Sequence, residues 1–268
     1  MRGLSAEGLA GSVERVEALA SAGDAERLGT QLFAVAGVLM HEASLRRAMT
    51  DPSAAAGARS GLAGSVFTGK VDEATVEAVS ATAAARWSSA ADFVDALEML
   101  GVLAIAIDAE KAGHLDELED ELFRFGRVVS GDPRLRDAVT NQQVPVANRE
   151  VLVSGLLEGK VTSSTIKLAV QAVDARHRSF EAAIEAYQKV VADRQNQLVA
   201  VVRSATELTE DQRERLAAAL GRQYGHQVHL NVVVDPGVLG GISVEIGDDV
   251  IDGTVAGRLD DARRRMAG

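Results

Sequence analysis

Leu45-Arg46-Arg47-Ala48-Met49-Thr50 returns at a spacing of 90 as Leu135-Arg136-Asp137-Ala138-Val139-Thr140, and the reading of the fold starts from that return. Upstream, Leu32-Phe33 comes back as Leu122-Phe123 at the same spacing. Downstream, Gly69-Lys70-Val71 comes back as Gly159-Lys160-Val161, and Ala85-Arg86 as Ala175-Arg176. Val38, Arg59, Leu62 and Thr75 match Val128, Arg149, Leu152 and Thr165. Dipeptides and longer strings held in one ungapped register mark an internal repeat rather than chance identity.

Each copy reads as helices. Leu28, Leu32, Val35 and Leu39 recur on one helical face, as do Leu115, Leu118, Leu122 and Phe125. Thr50-Asp51-Pro52 breaks the first copy, and Pro145 places a slightly later break in the second. Gly69 and Gly159, each followed by Lys, stand where a helix ends, because glycine tolerates the left-handed cap and lysine offsets the helix dipole. Further helices are predicted over Ala74–Trp87 and Ser164–Arg176, then over Ala90–Ala109 and Phe180–Arg203. The expected organisation is two tandem helical bundles, residues 1–110 and 111–195, followed by a small domain over 196–268.

That last third changes texture. Leu198–Val202 is a β-branched run, and Thr209 opens a helix reaching about Gln223 with an acidic first turn. Val228–Val234 and Gly241–Ile246 read as strands, with Asp235-Pro236-Gly237 and Gly247-Asp248-Asp249 as turns. Thr254–Met266 reads as a closing helix. The fold class is therefore mostly α with a small α+β C-terminal domain of order strand–helix–strand–strand–helix.

Composition narrows the function classes. The 268 residues are 47% hydrophobic, 25% charged and only 3% aromatic, with 4 prolines, which suits helices packed through small residues. A formal net charge of -11 argues against a nucleic-acid binder, which needs a basic face, and against an anionic membrane surface. With no cysteine, disulfides and cysteine-based zinc sites are excluded. Met1–Glu17 lacks the apolar core of a signal peptide, and the longest apolar run, Met99–Ile107, falls far short of the roughly 20 residues a spanning helix needs. A soluble protein without cofactor or metal is expected, reaching a membrane only through partners.

The stretch Asp235-Pro236-Gly237-Val238-Leu239-Gly240-Gly241-Ile242, continued by Gly247 and by Ile251-Asp252-Gly253-Thr254-Val255 with Arg258-Leu259, carries a family resemblance. It is similar to the C-terminal signature of the F-type ATP synthase delta subunit family, which includes the mitochondrial oligomycin-sensitivity-conferring protein. Residues 111–195 resemble that family's N-terminal helical bundle, and residues 1–110 are an additional copy of it. The resemblance implies a non-catalytic stator protein of the peripheral stalk. Its helical bundle would grip N-terminal helices of alpha subunits, and its C-terminal domain would meet the C-terminal end of the b-subunit stalk. It also implies peripheral attachment at the cytoplasmic side of a bacterial cell membrane, within the complex that couples proton-driven rotation to ATP synthesis. Asp235, Gly240, Gly241, Gly247, Asp252, Gly253, Arg258 and Leu259 are then structural signature residues, with no catalytic role.

Other motifs compete with this picture. Gly64–Lys70 fits the Gly-x-x-x-x-Gly-Lys frame of a phosphate loop, but Val71 stands where magnesium needs Ser or Thr, and a helix rather than a strand precedes it. The second copy keeps Gly159-Lys160-Val161 while Ser154 replaces Gly64, which favours the helix-cap reading. His41, His114, His177, His226 and His229 form no ligand motif. The acidic cluster Asp116, Glu117, Glu119, Asp120 and Glu121 reads as a solvated helix start rather than an acid–base pair. Arg258, Arg263, Arg264 and Arg265 serve either the dipole of the last helix or an acidic partner surface. A nucleotide-using enzyme and a free helical adaptor are the rival functions, and neither accounts for the C-terminal signature.

Overall fold

The computed structural model describes residues 3–174, 179–195, 197–224, 227–235, 238, 240–246 and 249–252. The chain divides into two compact units, Met1–Arg194 and Gln195–Gly268.

The first unit is helical. After α1 (Leu4–Ala22), five helices run as α2 (Ala25–His41), α3 (Ala43–Met49), α4 (Ala56–Phe67), α5 (Glu73–Ala84) and α6 (Ala90–Lys111). The next five are α7 (Leu115–Gly131), α8 (Pro133–Thr140), α9 (Val146–Leu157), α10 (Ser163–Gln171) and α11 (Phe180–Gln195). Each of α7–α11 begins 90 residues after its counterpart among α2–α6. Side-chain caps set several starts: Asp24 accepts from the Arg27 amide at 2.9 Å, Ser89 from Asp92 at 3.1 Å, and Asp132 from Arg134 at 2.8 Å.

The spacing extends to individual hydrogen bonds. Gln31 Oε1 accepts from the Asp72 amide at 3.0 Å and the Thr75 hydroxyl at 2.6 Å. Glu121 Oε2 accepts from the Thr162 amide at 2.9 Å and the Thr165 hydroxyl at 2.6 Å. Buried Arg59 on α4 donates to the carbonyls of Ala54 and Ala83, and buried Arg149 on α9 to those of Val144 and Val173. Thr50 and Thr140 each donate to the carbonyl four residues back, at 2.9 and 2.8 Å. Leu32 and Leu122 are fully buried, while Leu45 and Leu135 are half-buried against their cores. Leu62 and Leu152 differ: the first packs on its core and the second is exposed.

Helix α6 joins the copies. Of its 22 residues, 14 are buried, the pattern of a helix with neighbours all round. Phe93, Leu97, Leu100 and Ile107 belong to the core of the first copy; Val102, Ile105, Ala106 and Ala109 belong to that of the second. Shifting α1 by 90 places it on residues 94–112, so α6 is the last helix of one copy and takes the place of α1 in the next. Gly29 and Gly101 let α2 and α6 approach closely: a Cβ on Gly29 would stand 2.9 Å from the Gly101 carbonyl, and one on Gly101 2.5 Å from the Phe33 ring. An ion triad, with Arg194 and Glu17 buried and Glu110 partly exposed, ties α1 and α11 to α6, with Arg194 3.1 Å from Glu17 and 2.6 Å from Glu110.

The second unit has β1 (Gln197–Ser204), α12 (Glu210–Tyr224), β2 (Gln227–Val234), β3 (Ile242–Ile246) and β4 (Asp249–Asp252), in the sheet order β2-β1-β3-β4. β1 and β2 are parallel, as their α12 crossover requires, and β3 pairs antiparallel with both β1 and β4. Ala200, Val202, Val228, Val244 and Ile246 form the core with Leu220 of α12.

Several expectations change. The helix expected from Phe180 to Arg203 stops at Gln195, because residues 197–204 pair with two strands distant in sequence. The helix expected to reach Trp87 stops at Ala84, where Arg59 takes the carbonyls of Ala83, Ala84 and Ala85. Pro145 makes no later break. Asn141 and Asp51 close equivalent turns, and Pro145 takes the cap position of α9 that Ala55 takes in α4. The turn expected to include Asp249 gives way to β4 starting there. The closing helix expected over Thr254–Met266 lies outside the described residues.

Candidate functional site

The signature residues that are described collect at one end of the sheet. Ser204, the last residue of β1, pairs with Val234 at the end of β2 and with Ile242 at the start of β3. Asp235 extends that ladder, its amide donating to the Ser204 carbonyl at 2.8 Å. The Asp235 carbonyl then accepts from the Val238 amide at 3.1 Å, and the Val238 carbonyl from the Gly240 amide at 2.9 Å, so the chain folds back within a few residues. Gly240 and Gly241 have φ of 65° and 84°, in the left-handed region where a side chain is strained. These two glycines thus set the reversal that delivers β3 beside β1. Asp252 ends β4 opposite Ser243, at this same end. Gly247, Gly253, Arg258 and Leu259 lie outside the described residues, as do His177 and His226.

The helical unit offers no phosphate loop at Gly64–Lys70. Helix α4 runs through this segment to Phe67, the Thr68 amide donates to the Gly64 carbonyl at 2.9 Å, and Gly69 turns the chain at φ 75°. Gly159 does the same at φ 70° after α9. Both are helix ends, with amides committed to their own carbonyls rather than pointed at an anion.

The acidic cluster separates into distinct jobs. Asp116 and Glu117 sit in the first turn of α7, where Glu117 pairs with His114 at 2.8 Å. Asp120 pairs with Arg124. Glu121 instead turns inward to hold the start of α10, a role that its Gln31 counterpart makes visible and that its acidic neighbours hide. The buried groups Arg59, Arg149, Arg194 and Glu98 were also missed as determinants; only the Arg59/Arg149 repeat match signalled any of them. Glu98 accepts a hydrogen bond from the Tyr187 hydroxyl, and burial reinforced by that carboxylate pushes the Tyr187 pKa up. These bonds join helices.

Comparison with known proteins agrees with this architecture. The family model for the ATP synthase delta (OSCP) subunit matches residues 103–266. The chain belongs to that family. The match starts inside α6 and takes in the second copy and the C-terminal unit, leaving most of the first copy outside it. Full-length relatives contain the first copy as well. The chain is 48% identical over 254 residues to the ATP synthase subunit delta of Kineococcus radiotolerans, covering 94% of this chain and 92% of that one. It is 46% identical over 268 residues to that of Streptomyces avermitilis, covering 99% and 98%. With the protein of Thermobifida fusca, identity is 42% over 269 residues, covering all of both chains. As a member of the delta family, the chain is a non-catalytic peripheral-stalk subunit of the F-type ATP synthase and part of a membrane-associated complex. Among the described residues no helix is long and apolar enough to cross a membrane.

Proposed function

We propose that the helical unit holds the N-terminal helices of alpha subunits at the catalytic head, and that the C-terminal unit holds the end of the b-subunit stalk. The observation that carries this reading is the division into two compact units with separate cores on one continuous chain. A stator needs two partner-binding ends and a covalent connection that resists torque. Apolar groups exposed on each unit supply anchors: Val38, Phe123, Val128 and Val151 on the helices, and Val233, Val234 and Ile251 on the sheet. Within this reading, residues 1–110 are an extra copy of the bundle at 111–195, sharing α6 with it, and 196–268 is the stalk-docking domain. Asp235, Gly240, Gly241 and Asp252 shape the sheet end of that domain. The protein works at the cytoplasmic face of the membrane.

The test measures binding of two fragments, the N-terminal peptide of alpha and the C-terminal segment of b, to the full chain and to a chain ending at Arg194. Loss of b binding with alpha binding kept is the expected result. Loss of alpha binding with b binding kept would reverse the roles of the two ends.

A further inference from the structure

Helix α11 ends at Gln195, and β1 begins at Gln197. Any load on the C-terminal unit therefore enters the helical unit along the chain through the last turns of α11. Those turns are held from two sides. Val190 packs on the cores of both copies. Arg194, 5% exposed, donates from Nε and Nη2 to Glu110 Oε2 of α6 at 2.8 and 2.6 Å, and from Nη1 to Glu17 Oε1 of α1 at 3.1 Å.

The two carboxylates differ in origin. Arg194 and Glu110 lie within residues 103–266, which the delta-family model matches; Glu17 lies outside them, on a helix that belongs to the first copy alone. The contact is not inherited from the repeat either. The positions 90 residues away from Glu17 and Arg194 are Ile107 and Ala104, both apolar and buried. A buried ion pair adds little net stability over apolar packing, but it opposes any shift that separates the charges, because a buried charge then loses its partner. A guanidinium adds direction, since its donors sit in a planar fork. The end of α11 is thereby fixed in rotation as well as in position.

We propose that the first copy is an intramolecular brace: through Glu17 of α1 it clamps Arg194 and keeps the end of α11 from twisting when the C-terminal unit is loaded. Residues 1–110 then have a function that requires no partner of their own. The load itself rests on the stator reading.

Glu17→Gln in the full chain, which removes the charge and keeps the volume, tests the proposal. In the purified protein, amide hydrogen exchange over residues 190–195 should speed up about tenfold or more and stay unchanged in α7–α10. In membranes carrying this variant, ATP hydrolysis should continue at the parent rate while proton-driven synthesis falls. If Glu17→Gln melts early, Glu17→Asp, which keeps the charge on a shorter stem, should give a smaller rise at the same amides. Unchanged exchange over 190–195, a rise shared equally by α7–α10, or faster exchange with full synthesis would overturn the proposal. Full synthesis by a chain ending at Arg194 would instead defeat the stator reading itself.

Discussion

Single residues hold this helical unit together through polar groups placed where helices end. Arg59 lies 4% exposed and donates to the carbonyls of Ala83, Ala84 and Ala85, satisfying acceptors that α5 leaves unpaired at its C-terminus, and to that of Ala54 in the turn before α4. Arg149 does the same work with longer bonds, 3.1–3.3 Å to Val139, Val144 and Val173. Replacing Arg59 by Met keeps much of the volume and strands those carbonyls, at a cost of about 3 kcal/mol. Arg149→Met should cost less, and urea denaturation of the two variants gives the order directly. A second residue-scale test uses pH. The hydrogen bond from Arg27, 2.9 Å from Asp72, holds the Asp72 carboxyl below its usual pKa. A depressed folded-state pKa stabilises the fold above the unfolded value, near 4, and that contribution disappears as pH falls through the folded value. Asp72→Asn should therefore lower the melting temperature at pH 7, with the difference from the parent vanishing in the acid limb.

At the scale of elements, α6 explains both what could be read in the sequence and what could not. Strong periodic faces, such as Leu115, Leu118, Leu122 and Phe125, made α2 and α7 legible, and the repeat then carried the reading across both copies. Helix α1 was missed because Ser5, Gly8 and Ser12 are among its buried positions, small residues that leave no apolar stripe. No Gly or Pro breaks the helix between Phe180 and Arg203, so the β-branched run Leu198–Val202 is the one local sign of β1, and the boundary is fixed by strand pairing with distant segments. The four-residue β4 was hidden by an Asp-rich turn signal. The C-terminal signature was legible through family resemblance, while Glu17, Glu110 and Arg194 stand far apart in the sequence with no pattern that pairs them. A boundary after residue 110 looked reasonable because the apolar positions of α6 do not reveal that two cores share them. A fragment of residues 112–195 should then remain largely unfolded, whereas residues 90–195 should show cooperative melting by circular dichroism. Equal folding of both fragments would mean that α6 is dispensable to the second copy.

For the whole molecule, the two compact units and the delta-family membership lead to one mechanical claim: the chain is a linkage, and its function disappears when one end is cut off. If the helical unit holds the head as proposed, it stays attached there without the C-terminal unit, since it has its own cores. ATP hydrolysis by the head needs no anchored stator, but proton-driven synthesis does, since a head free to turn with the rotor cannot be driven against its load. Comparing the two activities in membranes whose only copy of this chain ends at Arg194 is therefore the most direct measurement. The account predicts that hydrolysis continues while proton-driven synthesis is lost. Synthesis at the level of the full chain would contradict it.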